Sequence, residues 1–142
     1  MKPAVFKITK KQLNHLLKNS KDGKNSDIGN LAIEVVKLYF QSIDALATFE
    51  NGTNGVDLVL FSKGKKINYE VKGTQDDKIA FGKLKVSSQK SHDALVAGME
   101  LIRVTNLRAQ EMKIHFLKHG EDFRLEAEPR WAIKPIKKAK KA

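Results

Sequence analysis

Apolar residues recur at helical spacing in two segments near the start of the chain. The first, residues 10–18, places three leucines on one face, and Thr9 precedes it as a residue that can cap a helix. The second runs from a cap at Ser26 or Asp27 to about Ser42 and carries a longer apolar stripe. This pattern predicts a short helix, a polar loop and a longer helix that packs on a core.

The pattern then changes to that of strands. We expect a short strand at residues 45–49 and a turn through residues 50–55, which hold two Gly and two Asn. Residues 56–61 are apolar except for Asp57, which is typical of a strand buried on both faces. Residues 67–72 alternate between apolar and polar positions, and the two segments together predict a hairpin.

A helix and two strands are expected in the second half of the chain. Ser87 or Ser88 can cap a helix that ends near Gly98. Further strands are predicted at residues 101–105 and 112–117. The order of elements predicts an α/β domain with a central mixed sheet flanked by helices.

The positive charge of the chain lies at its ends. The 142 residues include 27 Lys and Arg against 16 Asp and Glu, for a net charge of +11. Residues 1–24 carry +6 and residues 134–142 carry +5, so the residues between them are neutral. We expect one domain over residues 1–133 with a basic N-terminal helical segment, followed by a Lys-rich flexible tail. Such ends favour a nucleic-acid partner over a membrane, although lysines can also serve solubility alone.

Composition excludes several classes of chemistry. The chain has no Cys, so disulfides, Cys-ligated zinc, iron–sulfur clusters and thiol nucleophiles are all excluded. No apolar run approaches the roughly 20 residues of a membrane span, and the N-terminus has no apolar stretch typical of a signal peptide. We therefore expect a soluble, cytoplasmic protein without a membrane partner.

Asp57 and Glu70 face each other if the hairpin turns through two residues, 63–64. Directly opposed side chains share a face, with Cβ atoms about 4.5 to 5.5 Å apart, and Lys72 points to that face as well. A three-residue loop would instead place Val71 opposite Asp57, because a slip by one residue moves every side chain to the other face.

This arrangement of charges has a chemical interpretation. Two carboxylates held so close repel each other unless a cation or a shared proton lies between them. Oxygen ligands from one or two carboxylates are how Mg²⁺ is usually held, and a nearby ammonium can position water and stabilise developing charge. The pattern favours phosphodiester hydrolysis, and the alternative is an edge hairpin whose charged face is simply solvated.

Asp57, twelve intervening residues and then Glu70, Val71 and Lys72 resemble the PD-(D/E)xK signature of the restriction endonuclease-like nuclease superfamily. The resemblance covers about residues 28–117 and implies a restriction endonuclease-like core. It also implies that Asp57 and Glu70 bind Mg²⁺, for which Mn²⁺ can substitute. The backbone carbonyl of Val71 would be a further metal ligand, and Lys72 would assist the attacking water.

The resemblance implies site roles for two more residues, and the chain differs from the family pattern at one position. Glu34 matches the extra Glu that the family often has on the preceding helix, and Gln89 is similar to a Gln of Mrr-like restriction enzymes and Holliday junction resolvases. Glu34 is equally typical of a helix boundary, and Gln89 of an exposed first turn. The family's Pro before the Asp is Val56 here. A second Glu-x-Lys, at residues 111–113, has no acid on a paired preceding strand.

The function we expect is a Mg²⁺-dependent endonuclease of restriction or DNA-repair type that hydrolyses DNA. A set of lysines is expected to contact phosphates: Lys83, Lys85, Lys90, Lys137 and Lys138. One motif per chain makes a homodimer the simplest route to double-strand cleavage. The alternatives are a nuclease similar to Holliday junction resolvases, a non-catalytic basic DNA-binding module with the same fold, and an RNA nuclease.

Overall fold

The computed structural model describes residues 3–18, 25–128 and 136, and within them three helices pack on one six-stranded sheet. The strands are β1 (Ala4–Lys7), β2 (Thr48–Asn51), β3 (Leu58–Ser62), β4 (Lys65–Gly73), β5 (Glu100–Thr105) and β6 (Glu111–Leu117). The helices are α1 (Lys10–Leu17), α2 (Asn25–Ile43) and α3 (Gln89–Val96), with a 3₁₀ turn at Phe81–Lys83.

The sheet is mixed, with strand order β1-β6-β5-β4-β3-β2. The pair β4 and β5 is parallel, and every other neighbouring pair is antiparallel. The parallel pair needs a crossover, which contains α3. The predicted α/β class with a mixed sheet is therefore confirmed.

The helices begin and end close to the predicted positions, with one difference. Thr9 caps α1 through a reciprocal pair of bonds with Gln12, in which each side chain accepts from the other residue's backbone N–H. Helix α2 begins at Asn25, so the predicted caps Ser26 and Asp27 already lie inside the helix. Ser88 caps α3 by accepting from the N–H of Ser91, as one of the two predicted alternatives.

The strands differ more from the expectation. The short strand expected at 45–49 lies at Thr48–Asn51, and the strand expected at 56–61 begins only at Leu58. Strand β1 was not predicted; its four residues alternate between partly buried and exposed and pair with β6 at one edge of the sheet. The predicted basic N-terminal segment thus contributes a strand as well as a helix. The expected tail lies outside the described residues except for Ile136.

The two faces of the sheet have separate cores. Helices α1 and α2 cover one face, where the buried side chains include Leu31, Val35, Leu58, Tyr69, Val71, Ile102, Val104 and Ile114. Gly73 allows close approach there, because a Cβ at that position would lie 2.8 Å from Cβ of Ala32. On the other face a smaller core of Leu95, Leu101 and Leu117 holds α3 and the segments around the 3₁₀ turn. The charged residues of the hairpin share this second face.

Candidate functional site

The hairpin turn sets the register of the candidate site. Lys63 and Gly64 both have positive φ, at 52° and 76°, which is the conformation of a two-residue turn matched to the twist of the strands. Ser62 therefore pairs with Lys65, and the pairing continues to Leu58 opposite Tyr69. The two-residue turn is confirmed, and the three-residue alternative is excluded.

Asp57 lies just before β3, where regular pairing with β4 ends. Its backbone N–H donates to the carbonyl of Tyr69 at 2.9 Å, and its side-chain Oδ2 accepts from the backbone N–H of Val71, also at 2.9 Å. The side chain of Asp57 thus accepts the hydrogen bond that the backbone of a paired strand would otherwise accept, beyond the last residue pair of β3 and β4. The carbonyl of Val71 lies on the same edge of the strand as its N–H, and so on the side of Asp57.

Glu70 and Lys72 lie next to Asp57, although the regular pairing of β3 with β4 ends one residue earlier, at Leu58 opposite Tyr69. Glu70 is buried, and Nζ of the partly exposed Lys72 lies 3.7 Å from its Oε2. Burial, followed by the charge of Asp57 and by a side-chain hydrogen bond with it, raises the pKa of Glu70 to about 7, and Lys72 acts in the opposite direction. The predicted convergence of these three side chains is therefore what the structure has.

Asp57 and Lys72 border an open cavity of about 960 Å³, and Glu70 lies buried behind them. It is formed by the start of α2, the end of β4 and the segments that follow β4, and its lining includes Asn30, Ile33, Asp57, Val71, Lys72, Thr74, Asp76, Lys83, Lys85, Ser87 and Arg103. The cavity therefore brings two predicted lysines to the same place as the predicted acid and ammonium. Its size and the charged side chains along its wall are suited to a charged ligand.

Arg103 is the main residue of this cavity that the sequence analysis missed. It lies on β5 directly beside Lys72, so both side chains are on one face of the parallel pair. The residue is 3% exposed, its Nε donates to the carbonyl of Ile79 at 2.8 Å, and its Nη1 donates to that of Gly73 at 3.1 Å. The available signal was one charge inside the apolar run at residues 101–104, of the same kind that singled out Asp57.

Glu34 is not brought to this cluster. Its carboxylate pairs with Nζ of Lys37 one turn further along α2, at 3.0 Å, and it is more than half exposed. It lines a different cavity, between α1 and α2, together with Lys11 and His15. Residue Ile33, one position earlier, faces the cavity of Asp57 instead. The metal-site role that the resemblance implied for Glu34 is not supported by this placement.

Gln89 also makes other contacts. It is exposed in the first turn of α3, and its Nε2 donates to Oδ1 of Asp93 at 2.8 Å. Gln89 does not line the cavity of Asp57, whereas Ser87, two residues earlier, does. The structure therefore matches the alternative of an exposed helix residue.

The predicted phosphate contacts divide into three groups. Lys83 and Lys85 line the cavity, where they pair with Asp76 at 2.8 Å and with Glu128, respectively. Lys90 lies outside it, on α3, and donates to Oδ1 of Asn54 at 3.2 Å. The predicted contacts Lys137 and Lys138 lie outside the described residues.

The residues at the hairpin fit a hard divalent cation such as Mg²⁺. The carboxylates of Asp57 and Glu70 are in contact, and the pKa of Glu70 is raised chiefly by burial and secondly by the charge of Asp57, against the effect of Lys72. Together with the carbonyl of Val71 they offer oxygen ligands of the type that Mg²⁺ takes, with water for the rest. In the described part of the chain no group of three or more His, Asp or Glu side chains converges on one point, so two carboxylates are the side-chain contribution.

The second Glu-x-Lys lacks this setting. Glu111 is exposed on β6 and pairs with Lys7 of β1 at 3.4 Å. Lys113 lies opposite Thr105 of β5 and Val5 of β1, and neither residue is an acid. It therefore provides an internal comparison for the first motif.

Comparisons with known proteins leave the chain unassigned. No protein-family model matches it, and no curated protein or solved structure is significantly similar to it. No helix in the described residues is long and apolar enough to cross a membrane.

Proposed function

We propose that the chain is a Mg²⁺-dependent endonuclease that hydrolyses DNA phosphodiester bonds, with a restriction endonuclease-like core. The observation that carries the proposal is the contact between the carboxylates of Asp57 and Glu70, with Lys72 beside them, where Asp57 and Lys72 line an open cavity. Acids in contact cost stability, so a buried Glu70 beside a partly buried Asp57 is better explained by a ligand than by folding.

Each residue has a distinct role in this proposal. Asp57 and Glu70 would hold the metal with the carbonyl of Val71, and the hydrogen bond from Val71 fixes the orientation of the Asp57 carboxylate. Lys72 would hold the attacking water and stabilise charge that develops on the phosphate. Bound Mg²⁺ lowers the pKa of a water molecule and neutralises phosphate charge. The water would attack the phosphorus, the bond to one ester oxygen would break, and that oxygen would take up a proton.

DNA is proposed as the substrate because of charge. Four cationic side chains line the cavity, namely Lys72, Lys83, Lys85 and Arg103. The sequence adds a lysine-rich segment at either end, which would give salt-dependent binding to a polyanion. A homodimer would place two such sites on the two strands of a duplex, and closed two-fold dimers are the commonest assembly.

The test is a cleavage assay with matched variants. Supercoiled, linear, single-stranded and four-way-junction DNA, with an RNA of the same sequence, are incubated with Mg²⁺, Mn²⁺ or EDTA. Glu70→Gln and Lys72→Ala should lower the cleavage rate by about 100-fold or more. Glu111→Gln and Lys113→Ala are the controls, because they alter the second Glu-x-Lys, and they should cut at the wild-type rate.

The outcomes separate the candidate functions. Preference for the four-way junction would assign the chain to the resolvase alternative, and cleavage of RNA alone would overturn DNA as the substrate. Metal-independent DNA binding without any cleavage would favour the non-catalytic module. If Glu70→Gln cuts as well as Glu111→Gln, the proposed site is wrong.

A further inference from the structure

Arg103 is a buried cation without a carboxylate partner. Among the residues that the structure describes it forms no ion pair, and its hydrogen bonds go to the backbone carbonyls of Ile79 and Gly73. Asp76 exerts some attraction on it, but the carboxylate of Asp76 is paired with Lys83. A guanidinium cannot lose its proton in a protein, so this buried positive charge persists.

One nitrogen of Arg103 remains available for a ligand. The two carbonyls engage Nε and Nη1, which leaves Nη2 without an acceptor among the described residues. Every fully buried side-chain nitrogen or oxygen in that part of the chain has a hydrogen-bond partner, so Nη2 is not fully buried. Arg103 is among the residues that line the cavity of Asp57. A donor without an acceptor thus belongs to a side chain at the cavity wall.

Lys72 and Arg103 form a pair of like charges. They occupy paired positions on β4 and β5, strands that lie about 4.8 Å apart in a sheet. Lys72 has Glu70 as a partner at 3.7 Å, whereas Arg103 forms no ion pair among the described residues, so the positive charge on this side of the cavity is only partly neutralised. Burial lowers the pKa of Arg103, which shows that its surroundings disfavour the charge as they stand.

A purely structural role explains only part of this arrangement. The bonds to Ile79 and Gly73 fix the segment that follows β4, and two N–H donors are sufficient for that purpose. The role leaves unexplained why a full positive charge is buried next to Lys72. An anion in the cavity explains both the charge and the free donor, and a guanidinium is well suited to phosphate oxygens.

We propose that Arg103 binds a non-bridging oxygen of a phosphodiester through Nη2, next to Lys72, and so seats the phosphate in the cavity. The identity of the ligand as nucleic acid rests on the proposed function. The site then has two halves: Asp57 and Glu70 form an acidic half and Lys72 and Arg103 a basic half, on neighbouring strands of one face.

The first experiment measures binding to the wild-type chain in EDTA, so that no cleavage is involved. A thymidine dinucleotide is titrated into ¹⁵N-labelled protein, and the Nε–H resonance of Arg103 is followed; the chain has only four arginines, so the spectrum is simple. The resonance should shift and saturate. Inorganic phosphate is titrated in parallel.

The second experiment compares variants on a fluorescein-labelled single-stranded 12-mer, again in EDTA. Arg103→Gln and Arg103→Lys should weaken binding about tenfold, as expected when a guanidinium no longer holds the phosphate. Lys113→Gln removes a positive charge from β6, outside the cavity and outside the lysine-rich ends, and should change binding less than about twofold. If the Arg103 variants do not fold, the wild-type titration decides alone.

The outcomes distinguish this inference from the proposed function. A saturating shift with the dinucleotide, in a protein that cuts nothing with Mg²⁺, supports the Arg103 site and overturns the nuclease. Cleavage by a protein whose Arg103 resonance is unmoved overturns the Arg103 site and leaves the nuclease standing. A shift with inorganic phosphate but not with the dinucleotide would overturn the assignment to a phosphodiester.

Discussion

The backbone N–H of Val71 donates to the side chain of Asp57 at 2.9 Å, although the two residues are 14 positions apart. The bond lies where β3 stops pairing with β4, so the carboxylate substitutes for a missing strand partner. The carboxylate of Asp57 thus serves the fold through Oδ2 while it also contacts the carboxylate of Glu70.

Replacing Asp57 should separate these two uses. In Asp57→Asn the amide oxygen can still accept from Val71, and the repulsion with Glu70 is gone, so in EDTA the variant should be at least as stable as wild type. Asp57→Ala leaves the Val71 N–H without its acceptor and should be less stable than Asp57→Asn by about 1 to 2 kcal/mol. Urea unfolding measures the difference. Equal stability of the two variants would contradict a structural role for the bond.

The pH dependence of stability should carry the signature of Glu70. Its pKa is raised to about 7 in the folded state, so between its unfolded value and pH 7 the folded chain holds a proton that the unfolded chain has released. Stability of the metal-free protein should therefore fall as pH rises from about 5 to 8. Glu70→Gln should remove this fall.

The control for this measurement concerns His115. Burial lowers its pKa, so its contribution to stability has the opposite sign and disappears as pH falls below its ordinary pKa. The difference between wild type and Glu70→Gln, taken from thermal melts at pH 5.5 and 8.0, isolates Glu70 because both proteins retain His115. A difference that is independent of pH would contradict the raised pKa.

Two glycines of the cavity region should respond in opposite directions to alanine. At Gly73 an added Cβ would lie 2.8 Å from Cβ of Ala32 and 2.9 Å from Cδ2 of Leu107, so Gly73→Ala should cost about 1 to 3 kcal/mol. At Gly29, inside α2, an added Cβ meets nothing within 4 Å, so Gly29→Ala should stabilise by about 0.5 to 1 kcal/mol. Urea unfolding measures the free energy of unfolding of both variants. If the two substitutions changed it in the same direction, the close approach of β4 to α2 would be contradicted.

Removing residues 134–142 should weaken DNA binding without altering cleavage chemistry. The segment holds five lysines, and for each phosphate that these lysines no longer neutralise, the slope of log K against log salt should fall by about 0.7 on single-stranded DNA. Binding is measured at several salt concentrations, and cleavage at saturating DNA. Failure to cleave under saturation would instead make the segment part of the active site.

The hairpin was predictable because its determinants are local. The sequence Lys63-Gly64 between two apolar runs predicts a two-residue turn, and the turn alone fixes which residues oppose each other. Asp57 was identifiable as a single charge in an apolar segment, and Arg103 carries the same signal. Arg103 was missed because its meaning depends on the parallel pairing of β5 with β4, which no local pattern reveals.

Other elements escaped prediction for related physical reasons. Strand β1 is four residues long and gains its pairing from β6, more than 100 residues later in the chain. Glu34 lies at the border of the apolar stripe of α2, so periodicity alone does not determine which way its side chain points. That direction depends on how α2 packs on the sheet. Tertiary contacts therefore determined what the sequence pattern left open.

The loop before Asp57 is fastened to the far end of the crossover. The hydroxyl of Ser91 on α3 donates to the carbonyl of Gly55 at 3.3 Å, across 36 residues, and Lys90 bonds Asn54 in the same loop. These contacts join the loop that leads to Asp57 with the crossover that carries α3. A divalent cation held by Asp57 should therefore stabilise the docking of α3 as well as the hairpin, because a ligand that binds only the folded arrangement shifts the equilibrium towards it.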